Sequence, residues 1–187
     1  MKQLLWTIQH EAAWETFEKN GVLVANECHL FCEDDFLFAY EWISQQMIRK
    51  IGVPPDGIHY PVWAWYQWEG KRKRQDLRRA GYAARGTPMV QITFEAEENS
   101  FVLSDFDSWH CVLNSSFLAN NEAEWNDFYD RIPNPARHEI EPLWQRIFDL
   151  TRYEPNWDCP PGRKSIQATL WQIKMEQVKK VEHFIAK

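Results

Sequence analysis

Hydrophobic positions recur along this chain with two periods, and their order predicts strands interleaved with helices. Leu4-Leu5-Trp6-Thr7-Ile8-Gln9 alternates and carries enough β-formers to predict a strand. Glu11 to Asn20 places Ala13, Trp14 and Phe17 at helical spacing and stops at Gly21, a residue suited to a helix C-terminus. Val22-Leu23-Val24-Ala25 is a short apolar run. Asp34-Asp35 then opens a second helix, whose Phe36, Tyr40, Ile43, Met47 and Ile51 share one face before Gly52 and Pro54-Pro55 end it.

The middle of the chain reads differently. Residues 60–68 predict a strand with Trp63, Trp65 and Gln67 on one side and Val62, Ala64, Tyr66 and Trp68 on the other, so both faces are aromatic. Residues 89–95 alternate, and Phe101-Val102-Leu103-Ser104 follows after the polar Glu97-Glu98-Asn99, which predicts a hairpin of two strands. Asp105 or Asp107 can cap a short helix that starts there. Residues 121–131 and 137–151 predict two more helices separated by Pro133 and Pro135, and 154–162 is a proline-rich loop. A strand over 165–173 closes the pattern, with 178–184 readable as either strand or helix. No linker or repeat divides the chain, so the expectation is one α+β domain over residues 1–187.

Length and composition narrow this further. A chain of 187 residues can bury roughly two thirds of its unfolded surface and needs no metal or disulfide to fold. With 44% hydrophobic and 26% charged residues it is no disordered or fibrous chain, and it has no apolar run long enough to span a bilayer. The start of the chain reads into a strand rather than a signal segment, so a soluble, cytoplasmic protein with no membrane partner is expected. Cys28 and Cys32 frame His29, but Cys111 and Cys159 lie far apart, and reduced thiols with no metal site are the expectation.

Two features point toward chemistry. Eleven tryptophans are an unusual number, and while most must be core, some are expected to line a surface that stacks on a flat ligand. The net charge is −6, yet residues 71–79 carry six cations directly after the aromatic strand. Trp63, Trp65 and Tyr66 beside Arg78 and Arg79 therefore resemble a stacking platform next to phosphate-binding forks, as single-stranded nucleic acid or a dinucleotide requires. The competing reading makes the strand core and the cationic run a solvated loop. For Asp105, Asp107 and His110 the plain alternative is a helix cap, a solvated carboxylate and a histidine bonded to a backbone carbonyl.

The blocks Leu5-Trp6-Thr7-Ile8-Gln9, Tyr60-Pro61-Val62-Trp63-Ala64-Trp65, Asp76-Leu77-Arg78, Leu103-Ser104-Asp105-Phe106-Asp107-Ser108-Trp109-His110 and Ile166-Gln167-Ala168-Thr169-Leu170-Trp171 together resemble the bacterial domain of unknown function 3841 family. The opening strand-helix-Gly unit and the closing strands are also similar to the two ends of ADP-ribosyltransferase-type domains. That likeness implies a split, mainly antiparallel sheet flanked by helices, with NAD as cofactor. It implies nucleotide contacts near Thr7 and Gln9, and it places Gln167 where such domains carry a catalytic Glu. A neutral Gln supplies no charge to an oxocarbenium-like sugar, so Asp105 or Asp107 would have to supply it, with His110 as proton carrier. The expectation is thus an ADP-ribosyltransferase-like domain that binds NAD or a related nucleotide and modifies a nucleic acid or nucleotide target. Its rivals are a non-catalytic RNA or single-stranded DNA binding module and a domain that binds a protein partner.

Overall fold

The first strand and helix form where the alternation and the helical spacing require. In this computed structural model, which describes residues 1–25 and 34–187, β1 (Lys2–His10) runs directly into α1 (Glu11–Asn20). Gly21, at φ 73°, ends the helix by donating its backbone N–H to the Phe17 carbonyl at 2.8 Å, a conformation a side chain would strain. β2 (Val22–Leu23) follows, then α2 (Asp34–Ile51), which ends at Gly52. Its buried face is set by Ala39, Trp42, Ile43 and Met47, so Trp42 belongs to it while Phe36, Tyr40 and Ile51 lie at its margins. The Cys28–Cys32 pair lies outside the described residues.

β3 (Val62–Gln67), β4 (Pro88–Glu97), β5 (Val102–Asp105), β6 (Ile166–Leu170) and β8 (Val178–Ile185) join β1 in an antiparallel sheet of order β5-β6-β3-β1-β4-β8, while β2 pairs with the short β7 (Ile173–Lys174). The ambiguous 178–184 segment is a strand because β4 offers it a free edge. The expected hairpin between β4 and β5 does not form. β4 is occupied on both edges by β1 and β8, and the turn Glu98–Ser100 carries the chain away so that β5 pairs with β6 instead. The two strands are neighbours in sequence only, and longer-range burial decided their partners.

Strand alternation separates two faces. One carries Leu5, Val62, Ala64, Val90, Ile92, Phe94, Ala168 and Leu170, covered by Trp14 and Phe17 of α1 with Leu23 and Ile173. The other face has two covers. Over β5, β6 and β3 lie α2, α3 (Phe106–Leu113) and the segment 137–148, which bury Trp109, Val112, Trp144 and Ile147. That segment is α-helical only over α5 (Arg137–Ile140); Glu141–Phe148 winds as a 3-10 helix that begins Glu141-Pro142, where the proline removes a backbone donor. α4 (Glu122–Arg131) packs outside it through Phe128. Over β1, β4 and β8 lies the loop 68–87, which buries Gln75 against Gln91 and sets Tyr82 on Phe184. The basic run is therefore part of a cover over the sheet.

Candidate functional site

At the end of β3 the aromatic strand turns into the basic run, and the turn is fixed by backbone. Trp68 and Lys71 exchange backbone hydrogen bonds of 2.9 and 3.1 Å across Glu69 and Gly70. Gly70, at φ 75°, packs so closely on the 160–164 loop that a Cβ there would sit 1.8 Å from the Gly162 carbonyl oxygen, and its N–H donates to the Lys164 carbonyl at 2.9 Å. Only glycine fits this junction. The turn folds Trp68 back onto Trp65 (centroids 4.6 Å apart, near perpendicular). Trp65 meets Phe106 at 5.0 Å, and Phe106 meets His110 at 4.7 Å. Trp65, Trp68 and Phe106 are half-buried and His110 is exposed, so four rings in a row reach the surface.

Among the described residues, all but Lys71 of the cations in the run beside this row are already engaged. Arg79 holds its guanidinium 5.8 Å from the Trp68 ring and 2.7 Å from Glu69, which also takes Lys73 at 3.3 Å. The Arg79 hydrogen bond is the main reason the Glu69 carboxyl titrates below its ordinary range. Arg78 clasps Asp76 with two side-chain bonds of 2.8 Å, which holds that carboxyl well below the usual carboxylate range and raises the guanidinium. Arg74 pairs with Glu182 at 2.8 Å. Arg72 lies 3.6 Å over Tyr66 and 5.4 Å from Trp6 and donates to the Leu4 carbonyl at 2.7 Å. It fills the place where β1 and β3, registered through Trp6 and Trp65, part company, and burial lowers its pKa. A phosphate would have to compete with Glu69 for Arg79 and with Asp76 for Arg78.

Asp105, Asp107 and His110 take the plain roles. Asp105 is buried and caps α3, accepting from the Ser108 N–H at 2.8 Å. Its Oδ2 stands 3.2 Å from Nζ of Lys164, also buried. That Oδ2 has no directed hydrogen bond, so the contact with Lys164 is mainly Coulombic; the ammonium donates to the Arg152 carbonyl at 2.7 Å. Asp107 is exposed beside Cys159, whose thiol is pushed up by burial and then by that carboxylate. His110 holds Nδ1 2.9 Å from the Phe106 carbonyl oxygen.

Gln167 sits opposite Trp65 on β6 and opposite Ser104 on β5, on the face that carries the ring row. Its Oε1, the Ser104 Oγ and the Trp63 Nε1 are turned inward without hydrogen-bond partners. Trp63, itself half-buried, packs at 4.9 Å on the buried Trp109 and borders the core beneath α2 and α3. Thr7 donates to the Trp63 carbonyl at 2.8 Å, and Gln9 donates to Thr7 at 2.8 Å. By alternation from Trp6, Thr7 and Gln9 lie on the sheet face opposite Trp65 and Gln167. The structure thus gathers Trp65, Gln167, Asp105, His110 and Arg79 around Trp68 and Phe106. Thr7, Gln9, Trp63, Tyr66 and Arg78 are elsewhere. Sequence reading missed Phe106, Glu69, Lys164 and Arg72, whose partners lie across the fold and leave no local spacing to find.

Two open grooves, of about 740 and 570 Å³, lie at residues such as Glu95, Trp171 and Lys179, and at Phe38, Trp42 and Arg137; neither is lined by the ring row. Among the described residues no group of His, Cys, Asp or Glu could hold a metal ion, and no helix is long and apolar enough to cross a membrane. Fold and site together define an α+β domain built on a six-stranded antiparallel sheet, with an aromatic row where the sheet meets a basic loop. The chain belongs to the family described as Domain of unknown function (DUF3841), whose model matches residues 4–179. No curated protein and no solved structure matches it.

Proposed function

We propose that this chain is a non-catalytic binding domain for RNA or single-stranded DNA, with Trp65, Trp68, Phe106 and His110 as the surface on which bases stack. The observation that carries the reading is the row itself: four contiguous rings reach solvent, and the Arg79 guanidinium stands beside one of them. A stacked base gains about 1–3 kcal/mol from each good ring, whatever its identity, while a guanidinium adds salt-sensitive attraction to phosphate. The test is a titration of labelled oligouridylate and oligothymidylate at rising salt. Trp68→Ala should weaken binding by about 1–3 kcal/mol, and Arg79→Ala should reduce the slope of log affinity against log salt by about 0.7. Affinity that ignores both substitutions would end the proposal.

The NAD-dependent reading is the weaker proposal. It asks Gln9 and Gln167 to serve one cleft, whereas they lie on opposite sheet faces, and it asks for a free carboxylate where Asp105 is committed to a helix cap and to Lys164. Comparisons add no support for an ADP-ribosyltransferase likeness. Release of nicotinamide from NAD that disappears in Gln167→Ala would restore it.

A further inference from the structure

A second aromatic surface lies on α4 and the loop after residue 149, and its charge is opposite. α4 begins with Asn121 capping the Glu124 N–H at 2.8 Å. Phe128 turns inward and stacks on Phe117 at 4.0 Å, while Trp125 and Tyr129, four residues apart, stay half-buried with centroids 4.6 Å apart. Trp157 extends this pair, 6.2 Å from Trp125. Tyr153 and Trp157, 42% and 38% exposed, are the exposed Phe, Tyr and Trp residues among the described ones.

An exposed indole is ordinarily unremarked, but this one is held in place. Its Nε1 donates to the Ala119 carbonyl at 3.3 Å, its backbone N–H to the Glu154 carbonyl at 3.2 Å, and Asn156 adopts φ 67° to make the turn. Asp158 accepts from the Glu154 N–H at 2.9 Å and from Arg152 at 3.0 Å, which closes the loop on itself. A rigid aromatic at the surface has little ordering entropy left to lose when a partner arrives. The neighbouring cations are consumed internally: Arg131 by Asp127, Arg146 by Glu124, Arg152 by Asp158. Glu122, one turn before Trp125 on the same helix face, and Glu154, at the base of the Trp157 turn, carry no side-chain ion pair or hydrogen bond among the described residues.

We propose that the ridge Trp125–Tyr129–Trp157, edged by Glu122 and Glu154, docks an extended, arginine-bearing segment of a partner protein. Guanidinium groups stack on indole faces and pair with carboxylates in one arrangement, which a lysine ammonium does less well. Nucleic acid is repelled by the same carboxylates, so this surface and the stacking row at Trp65 serve different partners.

The test uses the full chain and three synthetic peptides: alternating arginine and proline, its lysine counterpart and its glutamate counterpart, followed by calorimetry and tryptophan fluorescence. The arginine peptide should bind, the lysine peptide several-fold more weakly and the glutamate peptide not at all. Trp157→Ala should lower arginine-peptide affinity about tenfold. Because that change also removes an anchor of the loop, the pair Glu122→Gln with Glu154→Gln provides an independent reading: it alters only exposed carboxylates and should cost about threefold, with a flatter salt dependence. The proposal is overturned if the arginine peptide fails to bind, if it binds every variant alike, or if the glutamate peptide binds as well. Self-association of the chain that Trp157→Ala abolishes, or oligonucleotide binding that it weakens, would also overturn it.

Discussion

The row at the end of β3 and the ridge on α4 are both made of aromatic rings that reach the surface, yet they are held by different means. In the row, Trp68 is fixed by backbone, through a tight turn whose Gly70 is pressed on Gly162, and the six cations of residues 71–79 outnumber the acids that pair with them, Glu69, Asp76 and Glu182. In the ridge, Trp157 is fixed by a loop closed through the Arg152–Asp158 pair, and it is the cations that are used up, leaving carboxylates free. What an aromatic surface can bind is set less by the rings than by which charge remains unspent around them. Composition cannot show this, because Lys71 to Arg79 looks like free positive charge until Glu69, Asp76 and Glu182 are seen beside it.

Lys164 links the two regions, since its loop carries Trp157 at one end and its ammonium meets Asp105 at the start of α3, next to Phe106. Lys164→Met leaves a buried carboxylate without its cation and should destabilise the fold by about 3–5 kcal/mol, with binding at both surfaces weakened together; urea denaturation measures the first and the two titrations the second. Gly70→Ala separates the regions. It forces a Cβ into backbone and strains a positive φ, at a cost of about 2–4 kcal/mol, and should abolish oligonucleotide binding while the arginine peptide still binds the folded fraction. Trp68→Ala should produce the same asymmetry with a smaller effect, about 1–3 kcal/mol in oligonucleotide affinity and little change in melting temperature.

The smallest effect expected is one of pH, and it belongs to the ridge. Burial opposes ionisation of Glu124, but bonds from Arg146 and from the Asn120 N–H outweigh it and leave the carboxyl below its ordinary 4.5. A lowered folded pKa means that this stabilisation is complete above about pH 4.5 and is lost as the pH falls through the folded value. Thermal melts between neutral and acid pH should show this loss, under about 1 kcal/mol for so accessible a pair, and Glu124→Gln should remove it without altering oligonucleotide binding.

Much of the local structure was legible. The alternation in β1, the helical spacing in α1 with its Gly21 stop, a helix cap at Asp105 or Asp107, which the structure decides as Asp105, and the helix at 122–131 all follow from short-range preferences. Division of β3 into two faces was legible as far as Trp65; past it the register shifts, and Trp68, expected on the other side, packs on Trp65. Reading Trp63 and Trp65 as one platform failed to anticipate their different neighbours: both face the same way and are half-buried, but Trp63 packs on Tyr40 of α2 and Trp109 of α3, whereas Trp65 meets α3 at its first residue, Phe106. Gln9 and Gln167 were paired by their places near chain ends, and nothing in a linear pattern says that one points through the sheet away from the other.

By itself, then, the order of residues determined the first strand and helix, the stop at Gly21, the helix at 122–131, and that aromatic and basic residues would meet near residue 70, because each depends on neighbours a few positions away; it left 178–184 open and did not foresee that 137–151 is α-helical only over Arg137–Ile140. Tertiary structure alone decided strand partners, the fate of each cation and which rings reach solvent. Those outcomes depend on groups dozens of residues apart that compete for the same buried space and the same carboxylates, and burial makes the strongest competitor win.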